Sequence, residues 1–329
     1  MGRRNFADWL LHPLEHAVTP FFGGKNLVPC HCGRDGIPAR KCAIDRAVQA
    51  VPCTHCPLCE AQKTMKLEII SKYPAEPSYS TPLLFVHGAW HGAWCWDAHF
   101  LDYFAGQGFT VHAVSLRGHG NSEGRSGLRW ARIADYVEDV AKAAIRLPSP
   151  PIVIGHSMGG FVVQKYLESH AAPAAVLLAS APPAGVLATT FRLARRHPLV
   201  FAMVNLKLSL YPLVATPALA RESFFSAGLA DSKVDEYWER LQDESFLGFL
   251  DMLALSLPCP EKVNTPMLVL GAEKDTVFSP GEVKATARAY HTEAEIFADM
   301  AHDMMLEPLW QSVAQRIVAW LKQRDFAKA

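Results

Sequence analysis

The chain has 329 residues, half of them hydrophobic, and 32 Lys plus Arg against 32 Asp plus Glu, so its formal net charge is zero. That length and apolar fraction allow a large buried core, in one large α/β domain or two ordinary ones. The balanced charge argues against a nucleic-acid partner, which needs a basic surface, and no stretch reads as a stable membrane insertion, because Pro173, Pro182 and Pro183 break the longest apolar run.

The opening "MGRRNFADWLLHPLEHAV" has no uninterrupted apolar core and no small-residue cleavage site, so it is a poor secretion signal. Phe6 stands where a myristoylation motif needs Ser or Thr. A soluble, cytoplasmic protein is expected. Residues 1–64 differ from the rest: Cys30, Cys32, Cys42, Cys53, Cys56 and Cys59 fall there, and only Cys95 and Cys259 follow. Three readings compete for this stretch. "CTHCPLC" offers thiolates for a tetrahedral zinc, but Cys30-His31-Cys32 is CxC rather than CxxC. A disulfide-bonded module would need an oxidising compartment. The favoured reading is a poorly ordered Cys-rich extension, left out altogether if translation starts at Met65.

From Met65 onward, strands and helices alternate. "KLEIIS" and "PLLFVHG" read as strands, "AWCWDAHFLDYFAGQG" as a helix, and "FTVHAVSL" as a strand. "RGHGNSEG" is a glycine-rich turn; "RWARIADYVEDVAKAAIRL" is a helix stopping before Pro148. "PIVIGHS" is a strand and "MGGFVVQKYLESH" a helix. "AAVLLAS", "TPMLVLGAEKD" and "AEIFADM" are strands, with helices over "SPGEVKATARAY" and "PLWQSVAQRIVAWLKQ". The strands are near-continuous apolar runs, as when both faces are covered. The expected class is therefore α/β, with a mostly parallel central sheet flanked by helices. Residues of about 185–257 break the alternation and read as a helical lid insertion, so the main domain is 65–329.

The chemistry gathers at Ser157. An apolar strand runs into Gly155-His156-Ser157-Met158-Gly159, and a helix follows. A sharp strand-to-helix turn crowds its neighbours, which glycine relieves, and lifts the serine oxygen to where helix N–H groups face developing negative charge. Serine needs a base, and the base an orienting acid. Asp275 follows "PMLVLGAEK" and His302 follows "AEIFADMA", in the order Ser, Asp, His that this arrangement requires. Three rivals are less well placed. Glu273 sits nearer the strand, Asp299 is too close to His302 in sequence, and His291 belongs at the opposite sheet end. An oxyanion would be held by the N–H groups of Met158 and of Ala89, in the loop after "LLFV". Trp90 and His91 are candidate substrate contacts, although tryptophans there more often pack under the lid. Arg117 and His119 hold loop geometry, Asn121 and Ser122 form the turn, and Asp139 is a solvated or helix-packing hydrogen bonder. Met304 and Met305 pack the core on the last helix, and Cys95 is a small buried hydrophobe.

The motifs "HGAWHGAWCW", "RGHGNSEG", "GHSMGG", "GAEKD" and "AHDMMLEP" resemble those of the α/β-hydrolase superfamily over Met65 to about Lys322. The first is similar to the opening loop of plant methylesterases and hydroxynitrile lyases. The "SLRGHGNSEG" turn looks more like bacterial esterases and monoacylglycerol-lipase-like hydrolases. The resemblance implies the α/β-hydrolase fold and a serine hydrolase with a helical lid, and it does not settle the substrate. The expected activity is that of a serine esterase working through an acyl-enzyme on Ser157, with no metal and no organic cofactor, and the apolar lid helices suggest a small, apolar ester with a medium-length acyl or aromatic group. The same residues serve other chemistries in this superfamily: a cofactor-free lyase, a C–C hydrolase or a peroxidase. A non-catalytic small-molecule-binding protein is a further alternative.

Overall fold

The computed structural model describes residues 65–324. The expectations for the Cys-rich extension, zinc included, lie outside the described residues. Seven strands form one sheet in the order β1-β3-β2-β4-β5-β6-β7. They are β1 Ile69–Lys72, β2 Leu83–Val86, β3 Val111–Val114, β4 Ile152–His156, β5 Ala175–Leu178, β6 Met267–Ala272 and β7 Ala294–Phe297. Only β1 runs antiparallel, pairing Ile69 with Val114 at one edge. All other neighbours are parallel, with Leu83 opposite Ile152 and Ala175 opposite Met267. The expected mostly parallel sheet is present.

Strand side chains alternate between two cores. One face sends Leu83, Phe85, Ile154, Leu178 and Leu270 toward α1 Trp94–Asp97, α2 Phe100–Gly106 and, near the chain end, α11 Trp310–Gln323. The other sends Leu84, Val86, Val153, Leu177 and Val269 toward α3 Ile133–Ala144, α4 Met158–Tyr166 and α10 Pro280–Ala289. Each of β2, β3, β4, β5 and β6 is buried along its whole length. Burial on both faces explains why these strands read as unbroken apolar runs.

The single helix expected over 93–108 is two, because His99 leaves helical geometry with φ −149° and ψ −47°. β7 stops at Phe297, short of the expected Met300, and a turn carries the chain on to His302. Met304 and Met305 are fully buried as expected, but in the turns ahead of α11, not on it. Between β5 and β6 lie α5 Leu187–Arg196, α6 Pro198–Lys207, α7 Pro217–Phe224, α8 Asp231–Trp238 and α9 Phe246–Leu250, with shorter turns between them. Since β5 and β6 remain hydrogen-bonded neighbours, this helical insertion leaves the sheet intact. Among the described residues no helix is long and apolar enough to cross a membrane.

Candidate active site

Ser157 stands between the end of β4 and the start of α4, with φ 52° and ψ −119°. A residue with a Cβ pays strain in this region. The turn is held by Ser157 N–H donating to Leu178 O at 3.0 Å and by Ser157 O accepting from Ala181 N–H at 3.1 Å. The flanking glycines are required by space: a Cβ on Gly155 would lie 2.5 Å from Gly159 O, and one on Gly159 would strike the carbonyl oxygens of His87 and Val86.

Asp275 follows β6 and His302 follows β7, so parallel pairing brings both to the sheet edge that carries Ser157. His302 Nδ1 lies 2.8 Å from Asp275 Oδ2, and its Nε2 lies 2.9 Å from Ser157 Oγ. The other Asp275 oxygen accepts the N–H groups of Val277 and Phe278 at 2.7 and 2.9 Å. An ionised carboxylate only accepts, so Nδ1 carries the proton and the Nε2 lone pair faces the serine hydroxyl. Burial opposes charge on His302, yet Asp275 and, more weakly, Asp303 hold its pKa above the ordinary imidazole value. The rivals point elsewhere. Glu273 accepts Asp299 N–H at 3.2 Å, Asp299 pairs with Lys274 in solvent, and His291 is exposed ahead of β7.

Ser157, Met158, Ala89 and Trp90 line one cavity of about 460 Å³. The helical insertion supplies most of its apolar wall, including Leu193, Val200, Leu213, Phe249 and Met252. At its polar margin, Arg196 and His197 both meet Glu222 Oε1, at 2.9 and 3.0 Å. Trp90, with φ 66°, donates its indole N–H to Leu210 O at 3.2 Å and so joins the loop after β2 to the insertion. Met158 opens α4, where its N–H has no intrahelical acceptor. The expectation that His91 touches substrate is corrected. Its ring is 1% exposed, does not line this cavity, and contacts Ala89 O and Asp303 instead.

The glycine-rich turn is held much as expected. Arg117 makes a two-nitrogen contact with Asp139, through Nε at 2.9 Å and an NH2 nitrogen at 2.7 Å. Asp139 is thus a buried partner and not a solvated one. His119 Nδ1 lies 3.0 Å from Arg117 O, and its other nitrogen lies 3.0 Å from Glu244 of the insertion. Cys95 is buried, which raises its thiol pKa well above the usual range. Among the described residues, His156, His302 and Asp303 bring ligand-type atoms within 4.8 Å of one another. Both nitrogens of His302 are already engaged by Asp275 and Ser157, and His156 Nε2 meets His302 O at 3.0 Å, while His156 Nδ1 and Asp303 Oδ1 are buried without a hydrogen-bond partner among the described residues.

The sequence profile described as "Alpha/beta hydrolase family" matches residues 83–315, most of the chain. The chain belongs to this family. Among curated proteins, the chain is 30% identical over 90 residues to the pyrethroid hydrolase of Sphingobium wenxiniae. That match takes in 27% of the chain and 31% of the relative, so it spans about a third of the relative's length. Among solved structures, it is similar to the monoacylglycerol lipase of Paleococcus ferrophilus, with TM-score 0.59 and 20% identity over 79% of this chain and 100% of that one. It is also similar to a bromoperoxidase from Bacillus anthracis, with TM-score 0.61 and 14% identity over 80% and 97% of the two chains. At such identities the structural likeness is one of fold.

In this alpha/beta hydrolase, sequence reasoning missed Asp303, His156 and Phe224. Asp303 and His156 are buried beside His302, and Phe224 both lines the cavity and stacks on the His302 ring at 6.0 Å. Asp303 and His156 adjoin the motif residues His302 and Ser157. An ionisable residue set in an otherwise apolar motif was the available signal. Phe224, far off in the insertion, had none.

Proposed function

We propose that this hydrolase is a serine-dependent carboxylic ester hydrolase that works through an acyl-enzyme on Ser157. The observation that carries the reading is the Ser157–His302–Asp275 chain of 2.9 and 2.8 Å contacts opening into a mostly apolar cavity. The Ser157 hydroxyl attacks the ester carbon as its proton passes to His302 Nε2. Asp275 keeps the ring in the required tautomer and stabilises the imidazolium. The tetrahedral oxyanion takes the N–H groups of Met158 and Ala89, each such donor lowering the barrier by about 3 kcal/mol. His302 then gives its proton to the departing alkoxide, and water repeats the sequence to release the acid. None of these steps needs a metal or an organic cofactor.

The helical insertion acts as a lid, and its apolar wall fits a small, apolar ester with a medium-length acyl or aromatic group. The names of the pyrethroid hydrolase and of the monoacylglycerol lipase agree with such a substrate class. The test is covalent labelling with a fluorophosphonate, wild type against Ser157→Ala, followed by product analysis on a graded ester panel. Labelling lost in Ser157→Ala together with acid and alcohol products is the expected outcome. A labelled protein that releases products of lyase or peroxidase chemistry and no acid would overturn the ester assignment.

A further inference from the structure

Behind the Ser157–His302–Asp275 chain, and away from the cavity, lies a second buried group. Asp303 is 0% exposed and His91 is 1% exposed. His91 Nε2 lies 3.0 Å from Asp303 Oδ2, and His91 Nδ1 lies 2.7 Å from Ala89 O. A carbonyl oxygen can only accept, so Nδ1 carries a proton. One further proton then sits between Nε2 and the carboxylate. Burial opposes ionisation of Asp303, yet His91, and after it His156 and His302, keep its carboxyl below the usual range. With an oxygen acceptor at each ring nitrogen, the contact has the geometry of a buried imidazolium–carboxylate pair.

The contact spans two loops. Asp303 is the neighbour of His302, on the loop after β7, and His91 belongs to the loop after β2 that carries Ala89. The peptides on both sides of Ala89 are gripped by their carbonyls: His87 Nδ1 meets Gly88 O at 2.8 Å, and His91 Nδ1 meets Ala89 O. In a trans peptide the N–H points opposite to the C=O, so these grips aim the Ala89 and Trp90 N–H groups away from the two imidazoles. On the other side, His156 Nε2–H donates to His302 O at 3.0 Å and lies 3.7 Å from Asp303 Oδ1.

We propose that Asp303 and His91 are positioning residues, forming a charged strut that fixes the base-bearing loop against the oxyanion-bearing loop. Its catalytic consequence rests on the ester-hydrolase reading; its existence does not. The negative end also acts on His302 directly, as a second carboxylate favouring the imidazolium that forms when Ser157 loses its proton. The titratable groups that face Asp303 are His91, His156 and His302, with Cys95 and Glu307 near enough to sense its charge.

Two measurements on the full chain test the strut. Long-range proton–nitrogen correlation spectra of the wild type at pH 7.5, with His91 assigned by its loss in His91→Gln, should show both of its ring nitrogens protonated. A neutral His91 tautomer there overturns the proposal, whether or not the protein turns over esters. In Asp303→Asn, the acidic limb of kcat/KM should move to lower pH, and kcat should fall about 10–100-fold, with KM near wild type, as expected for misplaced catalytic groups. An unmoved limb with unchanged kcat, in a folded variant that still takes the fluorophosphonate, overturns it. If Asp303→Asn does not fold, the double variant His91→Gln/Asp303→Asn, which buries no unpaired charge, is read in the same way. A wild type that fails to label counts against the serine chemistry alone, and the spectra then decide the strut.

Discussion

Ser157 Oγ lies 2.9 Å from His302 Nε2, and the backbone that holds it there has φ 52°. Position and strain are linked, because the strained turn is what lifts the hydroxyl to the imidazole. Strain of this kind costs about 1–3 kcal/mol and persists only where the surroundings impose it.

That link predicts a divergence between two inactive variants. Ser157→Ala and Ser157→Gly should both lose on the order of 10⁶-fold in kcat. Glycine tolerates positive φ, so Ser157→Gly should be the more stable of the two, by about 1 kcal/mol. Urea unfolding midpoints compare them directly, and a less stable glycine variant would show that the turn is not strained.

The pH profile follows from His302. The base must be neutral in the free enzyme, so kcat/KM should rise with pH through a value above that of an ordinary imidazole, since its pKa is raised. Removing the Asp275 charge lowers that pKa, so in Asp275→Asn the limb should move to lower pH while kcat drops by about 10⁴-fold. Steady-state rates between pH 5 and 9 decide this. A limb that stays in place would assign it to another group.

The glycines flanking Ser157 should be intolerant of a single methyl group. Gly155→Ala sets a Cβ 2.5 Å from Gly159 O and 2.7 Å from Gly160 Cα, backbone atoms that cannot swing aside. Destabilisation of about 1–3 kcal/mol and loss of turnover are expected. Gly106→Ala is the control: nothing lies within 4 Å of its Cβ, and it closes α2 on the exposed side. There the change should be neutral, or stabilising by about 0.5–1 kcal/mol. Thermal unfolding of the pair would show whether space or composition is decisive.

Acid should weaken the fold through His156. Burial, and then the nearby His302, lower its pKa from 6.5 to about 3. A depressed folded-state value gives stability that is complete above the unfolded pKa of about 6.5 and is lost as pH falls toward the folded value. His302, with its raised value, acts in the opposite sense: its share is present below about 6.5 and is lost as pH rises through the folded value. His156→Gln retains a donor for His302 O and has nothing to protonate. Its unfolding midpoint should therefore depend less on pH between 7 and 4 than that of the wild type; equal slopes would place the acid sensitivity elsewhere.

Leu193, on α5, is part of the apolar wall around Ser157. Leu193→Trp should shorten the acyl chain accepted, lowering kcat/KM for medium-chain esters about 10-fold relative to acetyl esters, the scale of a methylene or two in an apolar pocket. An ester panel run on both proteins tests this, and a wild type that prefers acetyl esters would show the wall to be unrelated to substrate choice.

Local chemistry in the chain was enough for the alternation of strands and helices, the parallel sheet, and the Ser157, Asp275, His302 order. Strands covered on both faces must be apolar throughout, a strained turn must be flanked by glycine, and parallel pairing carries the ends of β2 to β7 to one edge. The apolar runs and the flanking glycines are visible locally, without knowing which distant residue each one meets. The break of the helix at His99, the burial of Asp139 beneath Arg117, and the turn of His91 from the cavity toward Asp303 were decided by tertiary structure alone. A histidine or an aspartate looks the same in sequence whether it meets solvent, substrate or an opposite charge. Its role is set by which atoms lie within about 3 Å of it, and residues as far apart as 91 and 303 are brought that close only when the whole sheet has closed.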